Sequence, residues 1–365
     1  MNLDELSELY LRRREQRLPR LQAFFRGDQP YLIVQRPSYH LWGRCNSVAE
    51  IVENNRRHME SWLSLDWSDE LPHLQPWVGT GIYANAFGCE YLWREENAPD
   101  TYVRFKSIEE VRGLPYPDYR RSPVMRLALE AIDALNEEFR GRFPIALTDT
   151  QSPLDTATLV LDATEFFVAC CTHEEVVFEF LRTITDLIVE FSLVQRRRIG
   201  EDRVAKPGHV MPSLSTLRGI TLSDDDLAVC SPELNVKYAL PADRRIAEAL
   251  GGVAIHSCGV WDHTMRRLKD FDVVGIDCAV HRDWDPNPNR PEAVREAMRG
   301  SGIVVKTRVA GRAEAMLEDL EHLVCPELRL IVDIPRLEED EEAYRAAAER
   351  NYRLASARLD ELYGR

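Results

Sequence analysis

The chain has 365 residues, 44% of them hydrophobic, and a formal net charge of -15. That length holds one large α/β domain, and no run approaches the ~18 consecutive apolar residues of a membrane span. The acidic balance excludes a general nucleic-acid binder, because phosphate contacts need a basic surface. The amino-terminal Met1-Asn2-Leu3-Asp4-Glu5 is acidic with no apolar signal segment, and the eight cysteines are scattered through strand-like and helix-like stretches. Both features predict a cytoplasmic protein with reduced thiols.

In chain order, the first ~28 residues read as a helical extension. Its arginine cluster (Arg12, Arg13, Arg14, Arg17, Arg20) reads as a solvated face or a homodimer contact. Strand candidates follow at Tyr31-Arg36, Leu74-Val78 (weaker), Pro144-Asp149, Gly219-Asp224, Val253-Cys258, Asp272-Cys278, Ile303-Val309 and Leu328-Ile334. Amphipathic helical segments alternate with them: Ser47-Leu65, Ser122-Phe139, Ala163-Arg198, Pro232-Leu250, Arg290-Arg299, Arg312-Leu323 and a closing Leu337-Leu362. Strands alternating with helices predict an α/β fold, a single (β/α)8 TIM barrel over residues 1–365.

The active site of such a barrel lies at the C-terminal ends of its strands. Those ends carry Arg36, Asp149 with Gln151, the run Asp224-Asp225-Asp226, His256 with Cys258, Cys278, Thr307 with Arg308, and Asp333. The most informative of them is His256-Ser257-Cys258-Gly259, which closes the apolar run Gly252-Val253-Ala254-Ile255. Side chains two apart on a strand share a face, so an imidazole and a thiolate can meet at one point, as a zinc ion requires. The plainer alternative is that both are packed core residues. Asp149 and Asp225 are candidates for catalytic carboxylates. Arg36, Gln151 and Asp226 are candidate substrate contacts, with Trp261 and His281 on loops just past the strands.

Several segments in order resemble the uroporphyrinogen decarboxylase superfamily, within it the cobalamin-dependent (corrinoid) methyltransferase branch. Thr148 to Ala157 (TDTQSPLDTA) resembles its strand-end Ser-Pro segment, and Thr221 to Pro241 (TLSDDDLAVCSPELNVKYALP) its acidic strand end and Ser-Pro-Glu helix start. Val253 to Gly259 (VAIHSCG) resembles its His-x-Cys-Gly strand. The resemblance implies a zinc site at His256 and Cys258 and a methyl group passed between a corrinoid carrier and a small acceptor, a thiol above all. A later cysteine completes the family's protein ligands, but the last strand here ends Val332-Asp333-Ile334. Asp333 and Cys278 are the leading third ligands; Asp225 or Asp226 could supply an oxygen from the preceding strand, and Cys325 opens the last strand at the far end. The decarboxylase's Arg-Gln-Ala-Gly-Arg motif is missing, Arg36 and Arg44 standing at another spacing. A metal-free decarboxylase-type lyase and a non-catalytic partner of a corrinoid protein are the alternatives. With no cobalamin-binding Asp-x-His-x-x-Gly segment in the sequence, the methylated corrinoid would arrive on a separate protein.

Overall fold

A computed structural model describes residues 1–37, 45–94 and 98–365. Arg44 lies outside the described residues. Six strands form one parallel sheet: β1 (Tyr31–Gln35), β4 (Ile220–Ser223), β5 (Val253–His256), β6 (Val273–Ala279), β7 (Val304–Arg308) and β8 (Arg329–Ile334), in the spatial order β1-β8-β7-β6-β5-β4. A small antiparallel pair, β2 (Tyr91–Leu92) and β3 (Asp100–Thr101), stands apart from it.

The gap between β1 and β4 is filled by the segments expected as the second and third barrel strands, which pair through single bridges: Leu74 with Ile145, Ile145 with Val204, and Gln151 with Ser223. Side chains replace much of the missing ladder. Asp69 Oδ2 accepts from the Ile33 amide at 2.8 Å, and Asn55 Oδ1 from the Gln75 amide at 2.7 Å. Residues 204–207 wedge between the third strand position and β4 at their starts, where the Thr221 amide donates to the Pro207 carbonyl. The two positions meet directly only at their ends, Ser223 to Thr150 and Ser152 to Ser223. The result is a TIM barrel with one irregular side.

Alternation along the strands sorts the interior from the exterior. Leu32, Val34, Ala254, Val304 and Ile331 form an apolar interior floor with Met211, whereas Ile33, Ile255, Cys278, Val305 and Val332 pack outward against the helices. Helix Leu3–Arg26, capped by Asn2, seals this floor with Leu21 and Phe24. Its arginines are not simply a solvated face. Arg17 is buried and donates to the carbonyls of Leu65 and Glu70, Arg20 pairs with Asp69 at 3.0 Å, and Arg13 with Asp66 at 2.5 Å. These bonds fix the segment 65–70 beside β1. The expected helix Ala163-Arg198 is two helices, Ala163–Thr172 and Glu174–Ile199, broken at His173. Among the described residues, no helix is long and apolar enough to cross a membrane.

Candidate active site at the mouth of the barrel

Moving up the interior, the lining turns from apolar to charged. Register places His256 beside Asp277 and Ser223, Asp277 beside Lys306, and Arg308 beside Asp333. Lys306 is fully buried and joins two carboxylates, Asp277 and, at 2.6 Å, Asp333. Arg36 grips Asp333 from β1 through Nε at 3.0 Å and Nη2 at 2.6 Å. Burial alone would raise both carboxyls. Lys306 and Arg308 nevertheless hold Asp277 well below the carboxylate range, and Arg36 and Lys306 lower Asp333.

β5 ends at His256, two residues short of the expected Cys258, yet the two side chains still converge, Nε2 to Sγ at 3.7 Å. The loop is fixed from several sides. The Cys258 amide donates to Asp225 Oδ1 at 2.6 Å, and the Gly259 amide to Asp285 Oδ2 at 2.6 Å. Asn289 joins this loop to the next, accepting from the amides of Trp261 and Asp262 and donating to the Gly259 and Ala279 carbonyls. Gly259 has φ +72°, and a Cβ there would sit 3.0 Å from that of Ala228. Both conditions favour glycine.

Ligand atoms of Asp225, His256 and Cys258 lie within 4.8 Å of one another. The donor set fits a borderline ion such as zinc, and so does the orientation of the imidazole. Its Nδ1 is 2.7 Å from Asp277 Oδ1, leaving Nε2 toward the thiol, the arrangement in which a carboxylate orients a ligating histidine. Burial opposes a charge on His256, but hydrogen bonding to Asp277 and Cys258 pushes its pKa up to about 10. The pocket therefore stabilises positive charge at this position. Asp155, at the start of helix Pro153–Val160, accepts the amides of Asp225 and Asp226 at 2.9 Å each and so sets the acidic turn against β5.

The third-ligand expectations need correction. Asp333 does not reach the pair, because Arg36 and Lys306 already engage it. Cys278 does not reach it either: it is one residue past the inward Asp277 and faces the helices, where burial pushes its thiol up to about 12. Cys325 lies before β8, at the barrel's far end, as expected. Asp225, read both as a catalytic carboxylate and as a possible oxygen ligand, stands in the ligand group. Asp226 points away and accepts from Thr158 Oγ1 at 2.7 Å. Trp261 is fully buried, so it does not line the mouth, and Gln151 is buried in the bridge to Ser223. His281 sits in a shallow neighbouring depression with Arg312 and Leu337.

A cavity of about 310 Å³ opens over this layer, lined among others by Arg36, Trp62, His209, His256, Trp284 and Arg308. Sequence reading missed His209. It follows Lys206-Pro207-Gly208 with φ +52°, a costly backbone for a non-glycine residue. Gln75 Nε2 lies 3.1 Å from its Nδ1, and its Nε2 lies 3.4 Å from Asp149 Oδ1, which also accepts from Ser223 Oγ. Burial lowers its pKa, so the ring is neutral and donates toward Asp149. The Pro-Gly-His turn was the one local signal for it.

Residues 80–198 match the family model for uroporphyrinogen decarboxylase (URO-D). The resemblance to that superfamily is borne out over this segment. It contains Asp149, Gln151 and Asp155 but ends before Asp225, His256 and Cys258. A solved methyltransferase from Methanosarcina mazei superposes with a TM-score of 0.61 at 15% identity, covering 94% of this chain and 98% of that one. At that identity the likeness shows the fold alone, a TIM barrel. An orotidine 5'-monophosphate decarboxylase from Methanocaldococcus jannaschii gives a TM-score of only 0.32 at 11% identity, covering 63% of this chain and 81% of that one, and carries no argument. No curated protein matches the chain.

Proposed function

We propose that this protein is a zinc-dependent methyltransferase of the uroporphyrinogen decarboxylase fold, moving a methyl group between a corrinoid carried on a separate protein and a small acceptor, a thiol above all. The observation that carries this reading is the nitrogen, sulfur and oxygen group of His256, Cys258 and Asp225, gathered within 4.8 Å beside a cavity. Zinc held there would supply a Lewis acid that keeps a substrate thiol ionised at neutral pH. The methyltransferase from Methanosarcina mazei of like fold supports the same reaction class.

The chain's own residues have separable roles. Asp277 orients His256, while Asp155 and the Cys258 amide place Asp225. His209, held by Gln75 and Asp149, lines the same cavity with its ring centroid 6.4 Å from that of His256. Methyl transfer from methyl-Co(III) to a thiolate forms a sulfur–carbon bond, and cobalt keeps the electron pair as Co(I). The test is metal analysis of protein purified without added metal, followed by incubation with methylcobalamin and a thiol while the corrinoid spectrum is recorded. Zinc together with the appearance of Co(I) supports the reading. A metal-free protein that never demethylates a corrinoid contradicts it.

A second reading, a decarboxylase-type lyase, draws on the arginines at the cavity, Arg36, Arg308 and Arg336. Release of carbon dioxide from a porphyrinogen without any methyl transfer would favour it.

A further inference from the structure

Much of the polar lining of the cavity is spent inside the protein. Arg36 faces Asp333, Arg308 faces Asp277, Asp283 accepts the Gly311 amide at 2.8 Å, and Arg336 pairs with Glu341 at 2.8 Å. Gln75, which lines the cavity beside His209 and is only 3% exposed, has a polar atom left over. Its Nε2 donates to the Leu147 carbonyl at 3.0 Å. A carbonyl only accepts, so this bond fixes which end of the amide is nitrogen. The second Nε2 hydrogen goes to His209 Nδ1 at 3.1 Å, which must accept it. The ring proton of His209 is therefore on Nε2, directed at Asp149 Oδ1 3.4 Å away.

Gln75 Oε1 is what remains. Among the described residues no donor reaches it, and it is not sealed from solvent. The group is also held still. Asn55 clips the Gln75 backbone twice, its Oδ1 accepting the amide at 2.7 Å and its Nδ2 donating to the carbonyl at 2.8 Å. Backbone, amide plane and neighbouring ring are all fixed, and one acceptor is left open in a cavity whose other walls include Trp62, Val210 and Trp284. A few pre-placed polar groups in an apolar cavity are what make a small-molecule site selective. Water can meet an open carbonyl. A ligand that displaces this water without a donor of its own leaves the oxygen unmet, at a cost of about 1–3 kcal/mol.

We propose that Gln75 Oε1 accepts a hydrogen bond from the small-molecule substrate and selects for a neutral N–H or O–H donor on it. This gives the acceptor of the reaction proposed above a chemical class, a small thiol whose compact apolar body carries such a donor. His209 touches Gln75 on one side and packs edge-on to His256 on the other, so the donor and the reacting sulfur lie at separate ends of the molecule. The proposal rests on the methyltransferase reading only in taking this cavity as the acceptor's place; the binding itself requires neither zinc nor methyl transfer.

The test compares indole with benzofuran, in which a ring oxygen replaces the N–H, by NMR titration of the full-length protein. Indole should bind at least about fivefold tighter, the ordinary worth of one neutral hydrogen bond. Gln75→Met, checked for native circular dichroism, should erase that preference while benzofuran affinity stays within about twofold. Gln75→Asn withdraws the oxygen by one methylene and should lose most of the preference, which serves if the methionine variant does not fold. Equal affinity for the two probes in the wild type, no binding of either, or a preference unchanged in the folded variants would overturn the proposal. Indole selectivity that depends on Gln75, in a protein that transfers no methyl group, supports the proposal and rejects only the methyltransferase reading.

Discussion

Two groups of ligand-type residues stand at neighbouring strand ends of the same barrel, and they have opposite fates. On β6 to β8, Asp277 and Asp333 are buried with Lys306, Arg36 and Arg308, so their charges are already met inside the protein. On β4 and β5, Asp225 and Cys258 are exposed and His256 half-buried, and among the described residues no lysine or arginine is paired with Asp225. A carboxylate at a strand end is thus not a metal ligand by its position. What decides is whether a neighbouring strand supplies a cation to it. The closed group builds a rigid charged floor, and the open one is left to bind something.

The largest expected effect comes from breaking the closed group. Lys306→Met takes the shared cation from two buried carboxylates, leaving Arg36 on Asp333 and Arg308 and His256 on Asp277. Losing one partner of such a pair costs about 3–5 kcal/mol. Thermal unfolding should show a loss of this size. A variant as stable as the wild type would mean that the interior is wetter than its burial implies. Smaller and pH-dependent is Glu70→Gln. Burial raises the Glu70 carboxyl to about 7 against the opposing pull of Arg36 and Lys306, so the folded state binds this proton more tightly than the unfolded chain. Its contribution to stability is therefore fully present below the unfolded value of about 4.5 and declines as pH rises to about 7. Relative to wild type, the glutamine variant should be unchanged near pH 4 and gain about 1–3 kcal/mol at pH 8. A difference that does not vary with pH would contradict the assignment. Smallest is Cys278→Ala, which should cost about 1 kcal/mol through lost packing and leave metal content unchanged. Loss of metal there would place the thiol on the inner face after all.

Much of this contrast was hidden from the sequence for identifiable reasons. The apolar runs of β1 and β4 to β8 announced themselves, and so did the convergence of His256 and Cys258. The segments around 74–78 and 144–149 were read as strands but take shape as single bridges, because Asp69, Asn55 and the 204–207 wedge stand in for the ladder. Asp333 looked like a ligand because the cations that claim it come from β1 and β7, far away in sequence. Cys278 was misjudged by one residue of register: once His256 is seen opposite Asp277, alternation turns Cys278 outward. Lys306, a lysine directly after the apolar run Ile303-Val304-Val305 of the strand candidate, was a legible sign of the buried ion network. His209 and its partner Asp149 are brought together only by the fold.

The central claim, that the open group is a metal site completed by Asp225, is tested most directly by zinc stoichiometry. Wild type, Cys258→Ala, Asp225→Ala and Asp226→Ala would be loaded with zinc, desalted and measured by elemental analysis alongside circular dichroism. The account predicts about one zinc per chain for the wild type and Asp226→Ala, and a strong loss in Cys258→Ala and Asp225→Ala with the fold intact. Zinc retained in full by Asp225→Ala, or absent from the wild type, would contradict it.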